Sequence, residues 1–224
     1  MSSPAVYRSP RGLATAASVL LGLCAVASFG TATGVTVLRA AEPGREPTAG
    51  LAVTLFSNGA FALLMLGTAG VFVPWLYRVR VNAEVIAPAA ALPPRWLTVG
   101  CWFVPLANLF LPWWTIRGVW RAGTPTDGQD GENGQGPVHA WWATMVLASV
   151  LALLASGSME SATSVTFEEA RQRALTQLLG AELLMTAAAI LAILMVRRLT
   201  AVQEAHAEAA HRYAAEYGAR AGAR

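Results

Sequence analysis

Residues 95–121 read RWLTVGCWFVPLANLFLPWWTIRGVWR, and the path of this stretch decides how many times the chain crosses a membrane. Its uncharged part, residues 96–116, would just span the ~30 Å hydrocarbon layer as a straight helix rising about 1.5 Å per residue. Pro105 and Pro112 oppose that path, because each lacks a backbone donor and disfavours helical geometry in the preceding residue, Val104 and Leu111. The carbonyls freed on Cys101 and Asn108 would need partners from neighbouring helices or water. A fifth span and a proline-broken segment that returns to its own side are the two alternatives.

Arginines decide between them. With a returning segment and four spans, Arg8, Arg11, Arg78, Arg80, Arg95, Arg117, Arg121, Arg197 and Arg198 share one side, against Arg39, Arg45, Arg171 and Arg173 on the other. With five spans the two sides become nearly equal. Near-membrane Lys and Arg mark the cytoplasmic face, so four spans with both termini cytoplasmic are expected.

The composition supports a membrane protein. Only 13% of residues are charged, where soluble domains have about 25%, and the mean hydropathy is +0.47. The basic residues are all arginine and are scattered at segment ends. They form no stripe of the kind that binds nucleic acid, and no nucleic-acid partner is expected. Cys24 and Cys101 both lie in apolar runs, which gives no support to a disulfide framework or a metal site.

The expected fold is all-α. Spans are placed at about residues 13–38, 51–77, 138–159 and 174–196, with the broken, re-entrant or interfacial segment at 96–116. An N-terminal tail covers residues 1–12, a flexible glycine-rich linker 124–137, and a cytoplasmic amphipathic helix 199–224. The first apolar run is longer than the ~7–15-residue core of a secretory signal, so it is read as a retained span. Trp75, Tyr77, Trp141 and Trp142 fall at span ends, where an aromatic belt is expected.

Few residues suggest chemistry. Glu182 is the one carboxylate inside a span. An intramembrane acid is a functional candidate by default, but proton relays use several such groups, and pairing with Asn58, Asn108 or an arginine is the plainer reading. His206, Glu208 and His211 lack the four-residue histidine spacing of a zinc-protease helix. Asp127, Asp130 and Glu132 lack the calcium-loop pattern. Neither metal nor cofactor is expected. Gly30 and Gly34 form a GxxxG that can seat a second helix of this chain or of another copy.

Two segments, WLYRVRVNAE at 75–84 and RWLTVGCWFVPLANLFLPWWTIRGVWRAG at 95–123, followed by AWW at 140–142, carry a resemblance. Over residues 57–198 the sequence resembles an actinobacterial membrane family known as domain of unknown function 4328. The resemblance implies a multi-pass membrane protein and points to Asn82, Trp102, Pro105, Asn108, Pro112, Arg117 and Trp120 as signature positions. It implies no activity.

Residues and resemblance together lead to a non-catalytic interaction or scaffold module of the plasma membrane. Its partners would be anionic headgroups of the lipid bilayer, a second copy or another membrane protein. Trp113, Trp114, Trp120, Arg117 and Arg121 would hold the headgroups. A small transporter using Glu182 and Asn108 is the first alternative. An intramembrane or lipid-modifying enzyme is the second, and it would need Asn82, Asn108, Arg117 and Glu182 to converge.

Overall fold

The computed structural model describes residues 6–42, 47–104, 107–123, 135–160, 163 and 165–222. It is 85% helical, with no strand among the described residues. Helices close their backbone hydrogen bonds within one segment, as a hydrocarbon environment requires.

The long helices are α1 (Arg11–Arg39), α2 (Thr48–Ile86), α5 (Gly136–Glu160) and α6 (Phe167–Gly222). All four are long and apolar enough to cross a membrane. Between α2 and α5 lie the four-residue α3 (Leu97–Gly100), a 3-10 turn (Ala107–Leu109) and α4 (Leu111–Gly123). The stretch at 96–116 is therefore broken. Pro112 sits at the second position of α4, where its missing N–H has no helical acceptor to lose. Pro105 lies outside the described residues.

Two helices outrun their expected spans. Helix α2 carries Pro74 and continues through Arg78 and Arg80 to Ile86. Helix α6 takes in the charged run FEEARQR at 167–173, the expected last span and the tail.

The chain forms two compact units. One consists of Ser18–Gly70 and His139–Ile193. Many of its buried side chains are small, among them Ala27, Ala32, Ala155, Ala181, Ala188 and Ala192, while Phe56 (80% exposed), Leu63 (72%) and Leu153 (74%) point outward. Small residues inside and large apolar residues outside suit a helix bundle surrounded by lipid. Several of its hydroxyls fold back onto their own helices. Thr68 donates to Leu64 O at 2.7 Å, Ser149 to Met145 O at 2.9 Å and Thr186 to Glu182 O at 2.9 Å.

The GxxxG of α1 is an internal packing site. A Cβ built on Gly30 would lie 2.6 Å from Ser57 Oγ, and one on Gly34 would lie 2.8 Å from Thr54 N and 2.9 Å from Gly50 O. Only glycine allows α1 and α2 to approach this closely.

The other unit consists of Met1–Ala17, Val71–Val138 and Leu194–Arg224, and holds the broken segment entire. Its core is large and aromatic, with Trp75, Leu76, Ile116, Met195 and Leu199 fully buried. Helix α4 buries Pro112, Thr115, Ile116, Val119, Trp120 and Gly123, an i, i+3, i+4 stripe.

Several aromatic assignments change here. Trp75 forms no belt: it is fully buried, and its Nε1 donates to Thr200 Oγ1 at 3.1 Å. In the Ser18–Gly70 and His139–Ile193 unit, Trp141 and Trp142 are also buried, with ring centroids 5.2 Å apart.

Candidate functional site

Polar chemistry in the Val71–Val138 unit gathers on the last turns of α2. Positions 73, 77 and 81 and positions 74, 78 and 82 recur at helical spacing, so Val73, Tyr77, Arg78, Val81 and Asn82 share one face.

Asn82 is the hub of this face. Its Oδ1 accepts the Arg8 backbone N–H at 3.0 Å, and its Nδ2 donates to the Arg8 carbonyl at 2.9 Å and to Gln203 Oε1 at 3.2 Å. Gln203 Nε2 in turn donates to Val79 O at 2.8 Å. Asn82 and Gln203 are both fully buried, and buried amides are tolerated when they are bonded in this way. The paired bonds to Arg8 fasten residues 6–10 along α2 as a strap. Arg78 Nη1 adds a bond to Ser9 O at 3.2 Å, Ser9 Oγ donates to Glu204, and Arg11 pairs with Glu204 at 3.1 Å and Glu208 at 3.0 Å.

A second cluster closes the turn after α2. Arg80, 4% exposed, donates through Nε to Pro93 O at 2.7 Å and through Nη1 to Glu84 at 2.8 Å. Arg95 grips Glu84 with Nε, at 3.1 and 3.2 Å from its two oxygens, and with Nη2. A two-pronged guanidinium–carboxylate contact is among the stronger ion pairs. The Arg95 hydrogen bond is the main cause that holds the Glu84 carboxyl below its usual range, with Arg80 adding to it against burial. Pro93 also packs on α4, where a Cβ on Gly118 would come within 3.1 Å of its ring. Tyr7 on the strap is pushed up to about 12, first by burial and then by the charge of Glu204.

The face of α4 opposite its buried stripe carries Trp114, Arg117 and Arg121. Arg117 lies over the Trp113 ring at 5.3 Å and donates through Nε to Gln135 Oε1 at 2.8 Å. Gln135, inside the expected linker 124–137, is buried; residues 124–134 lie outside the described residues. A cavity of about 410 Å3 opens beside Trp114, Arg117, Arg121 and Pro93. Trp120 cannot serve there, because it points into the core at 3% exposure.

The remaining signature positions act locally. Trp102 stands edge-on to Phe72 at 5.9 Å, and its Nε1 donates to Thr98 O at 3.2 Å. Cys101 and Thr115 are buried, and the Asn108 Oδ1 atom is buried without a hydrogen-bond partner. Pro112 belongs to the buried stripe of α4.

Glu182 belongs to the other unit. Its partner is none of the expected Asn58, Asn108 or arginine but Ser28, whose hydroxyl donates to the carboxylate and lies 3.2 Å from the Glu182 carbonyl. Asn82 is held by Arg8 and Gln203, and Arg117 by Gln135, so each of these groups has its own separate partner. No three His, Cys, Asp or Glu side chains gather among the described residues.

Gln203, Thr200, Arg8 and Pro93 were not legible as site residues. Arg80 and Glu84, four apart on a helix, carried a signal for their ion pair.

The sequence model of one protein family, described as a domain of unknown function (DUF4328), matches residues 39–201. No curated protein and no solved structure matches the chain. Arg8 and Gln203, two partners of Asn82, lie outside the matched residues.

Proposed function

The chain belongs to the DUF4328 family, and from that premise we propose a non-catalytic membrane module that holds anionic headgroups on the exposed face of α4. The observation that carries this reading is the cavity of about 410 Å3 flanked by Arg117 and Arg121, with Trp114 at its edge. Guanidinium groups pair with phosphate through forked hydrogen bonds, and indole rings favour the headgroup depth. Trp113 supports Arg117 from below. The arginine count assigns this face and both termini to the cytoplasmic side, where the anionic leaflet lies. Trp120 contributes core packing to the module and no lipid contact.

The test is an Arg117→Gln/Arg121→Gln variant, purified in neutral detergent and presented with vesicles containing phosphatidylglycerol or only phosphatidylcholine. About 1 kcal/mol per arginine near an anionic surface predicts a roughly tenfold or greater loss of binding to the anionic vesicles and none to the neutral ones. Unchanged binding to the anionic vesicles would defeat the proposal.

Transport is the second reading, supported by the presence of a carboxylate in a span. The Ser28 bond favours a packing role for Glu182. If transport is right, Glu182→Gln abolishes a pH-dependent flux in proteoliposomes. If packing is right, it changes stability alone.

A further inference from the structure

A larger cavity, about 590 Å3, lies on the other side of the α2 ending, between the strap, the face of α2 from Val73 to Asn82, and the start of the broken segment. Its size falls within the ~300–1,000 Å3 range of small-molecule sites. Three arginines line it, Arg8, Arg78 and Arg95, and no acidic side chain does among the described residues. Their partners differ. Arg95 is engaged by Glu84, and Arg78 spends one nitrogen on Ser9 O. Arg8 is fixed through its backbone by Asn82, while its exposed guanidinium makes no hydrogen bond or ion pair among the described residues. Arg11, the next cation along, is committed to Glu204 and Glu208.

Besides Tyr77 and Asn82 the rest of the lining is apolar, with Val6, Leu13, Val73 and Val99 forming the walls. A cavity with cations along one part and aliphatic walls elsewhere suits a ligand with the same division. We propose that this cavity binds a single anionic amphiphile, with its phosphate between Arg8 and Arg78 and the first carbons of its acyl chain against Val73 and Val99. The Asn82 clamp gives the strap its role here, since it holds the Arg8 main chain at a fixed place on α2 and so aims one of the two phosphate ligands. This site deepens the headgroup-binding reading, yet it shares no residue with the α4 face. The two can therefore fail separately.

The phosphate could come from a lipid or from free phosphate, and the experiment separates the two. The full chain in neutral detergent is titrated calorimetrically with dihexanoyl phosphatidylglycerol, dihexanoyl phosphatidylcholine and inorganic phosphate. The account expects saturable, salt-sensitive binding of phosphatidylglycerol, with phosphatidylcholine and inorganic phosphate each at least tenfold weaker. Arg8→Gln/Arg78→Gln should weaken phosphatidylglycerol about tenfold or more. In an Arg117→Gln/Arg121→Gln background, which silences the α4 face, the saturable phosphatidylglycerol binding of this site should persist. Val99→Trp fills the cavity from its apolar side without altering any charge. It should weaken the lipid while leaving the circular dichroism spectrum unchanged, which separates loss of the site from loss of the fold. Equal affinity for the two lipids, inorganic phosphate as tight as lipid, or full affinity in both Arg8→Gln/Arg78→Gln and Val99→Trp would each overturn the proposal.

Discussion

Replacing Asn82 with alanine tests how the strap is held. The substitution removes the bonds of 3.0 and 2.9 Å to the Arg8 backbone and the one of 3.2 Å to Gln203. Each of the first two is worth about 1 kcal/mol net. About 2 kcal/mol of local stability should therefore be lost, which raises the fraction of detached strap roughly thirtyfold. The buried Gln203 Oε1 also loses its donor, adding about 1–3 kcal/mol to the cost for the whole fold. Trypsin cleavage after Arg8 in detergent micelles reads the first effect, and thermal unfolding reads the second. Asn82→Asp should do as much damage, since it keeps the acceptor for Arg8 N–H but sets carboxylate oxygens against Arg8 O and Gln203 Oε1. Asn82→Leu/Gln203→Leu removes both buried partners together and should recover part of the global loss. A cleavage rate within about twofold of the parent would refute the reasoning.

Other outcomes follow from the same contacts. Gly34→Ala places a Cβ 2.8 Å from Thr54 N, a backbone atom that cannot yield cheaply, and should cost about 1–3 kcal/mol in thermal unfolding; Gly22→Ala, which meets nothing within 4 Å, should be neutral. The Glu84 carboxyl is held below its usual range by Arg95, so its contribution is present above the unfolded value of about 4.3 and is lost as pH falls through the lower folded value. Glu84→Gln should flatten the pH dependence of unfolding in that acid window. Tyr7, pushed up to about 12, stabilises the fold below the unfolded value near 10 and loses that contribution as pH rises through 12. Tyr7→Phe should remove a phenolate that titrates near 12 from the ultraviolet absorbance.

What the sequence revealed, it revealed through backbone chemistry and length. Pro112, without a donor, stands at the start of α4 in the broken stretch 96–116, and uncharged runs marked the four long helices. Burial was less legible. Trp75, Trp141 and Trp142 stand where belt residues stand, yet they pack inside. Where the amphipathic tail begins, the buried line is Met195, Val196, Leu199, Thr200 and Gln203. Hydropathy hid Thr200 and Gln203 because their partners, Trp75 and Asn82, lie more than a hundred positions away. Separation in sequence also hid the Ser28 partner of Glu182 and the grip of Asn82 on a strap 74 residues upstream. The GxxxG at Gly30 and Gly34 was legible as a close approach but not as an internal one, since nothing in α1 alone names Thr54.

The most direct test is sidedness. A cysteine at position 3 and another in the 127–134 linker, each in an otherwise cysteine-free chain, are labelled with a membrane-impermeant maleimide in intact cells and again after lysis. The account predicts that both label only after lysis, with the chain leaving and re-entering on one side around its proline-broken segment. Labelling of the linker position in intact cells, with the N-terminal position protected, would mean that residues 96–116 cross the membrane and would contradict the account.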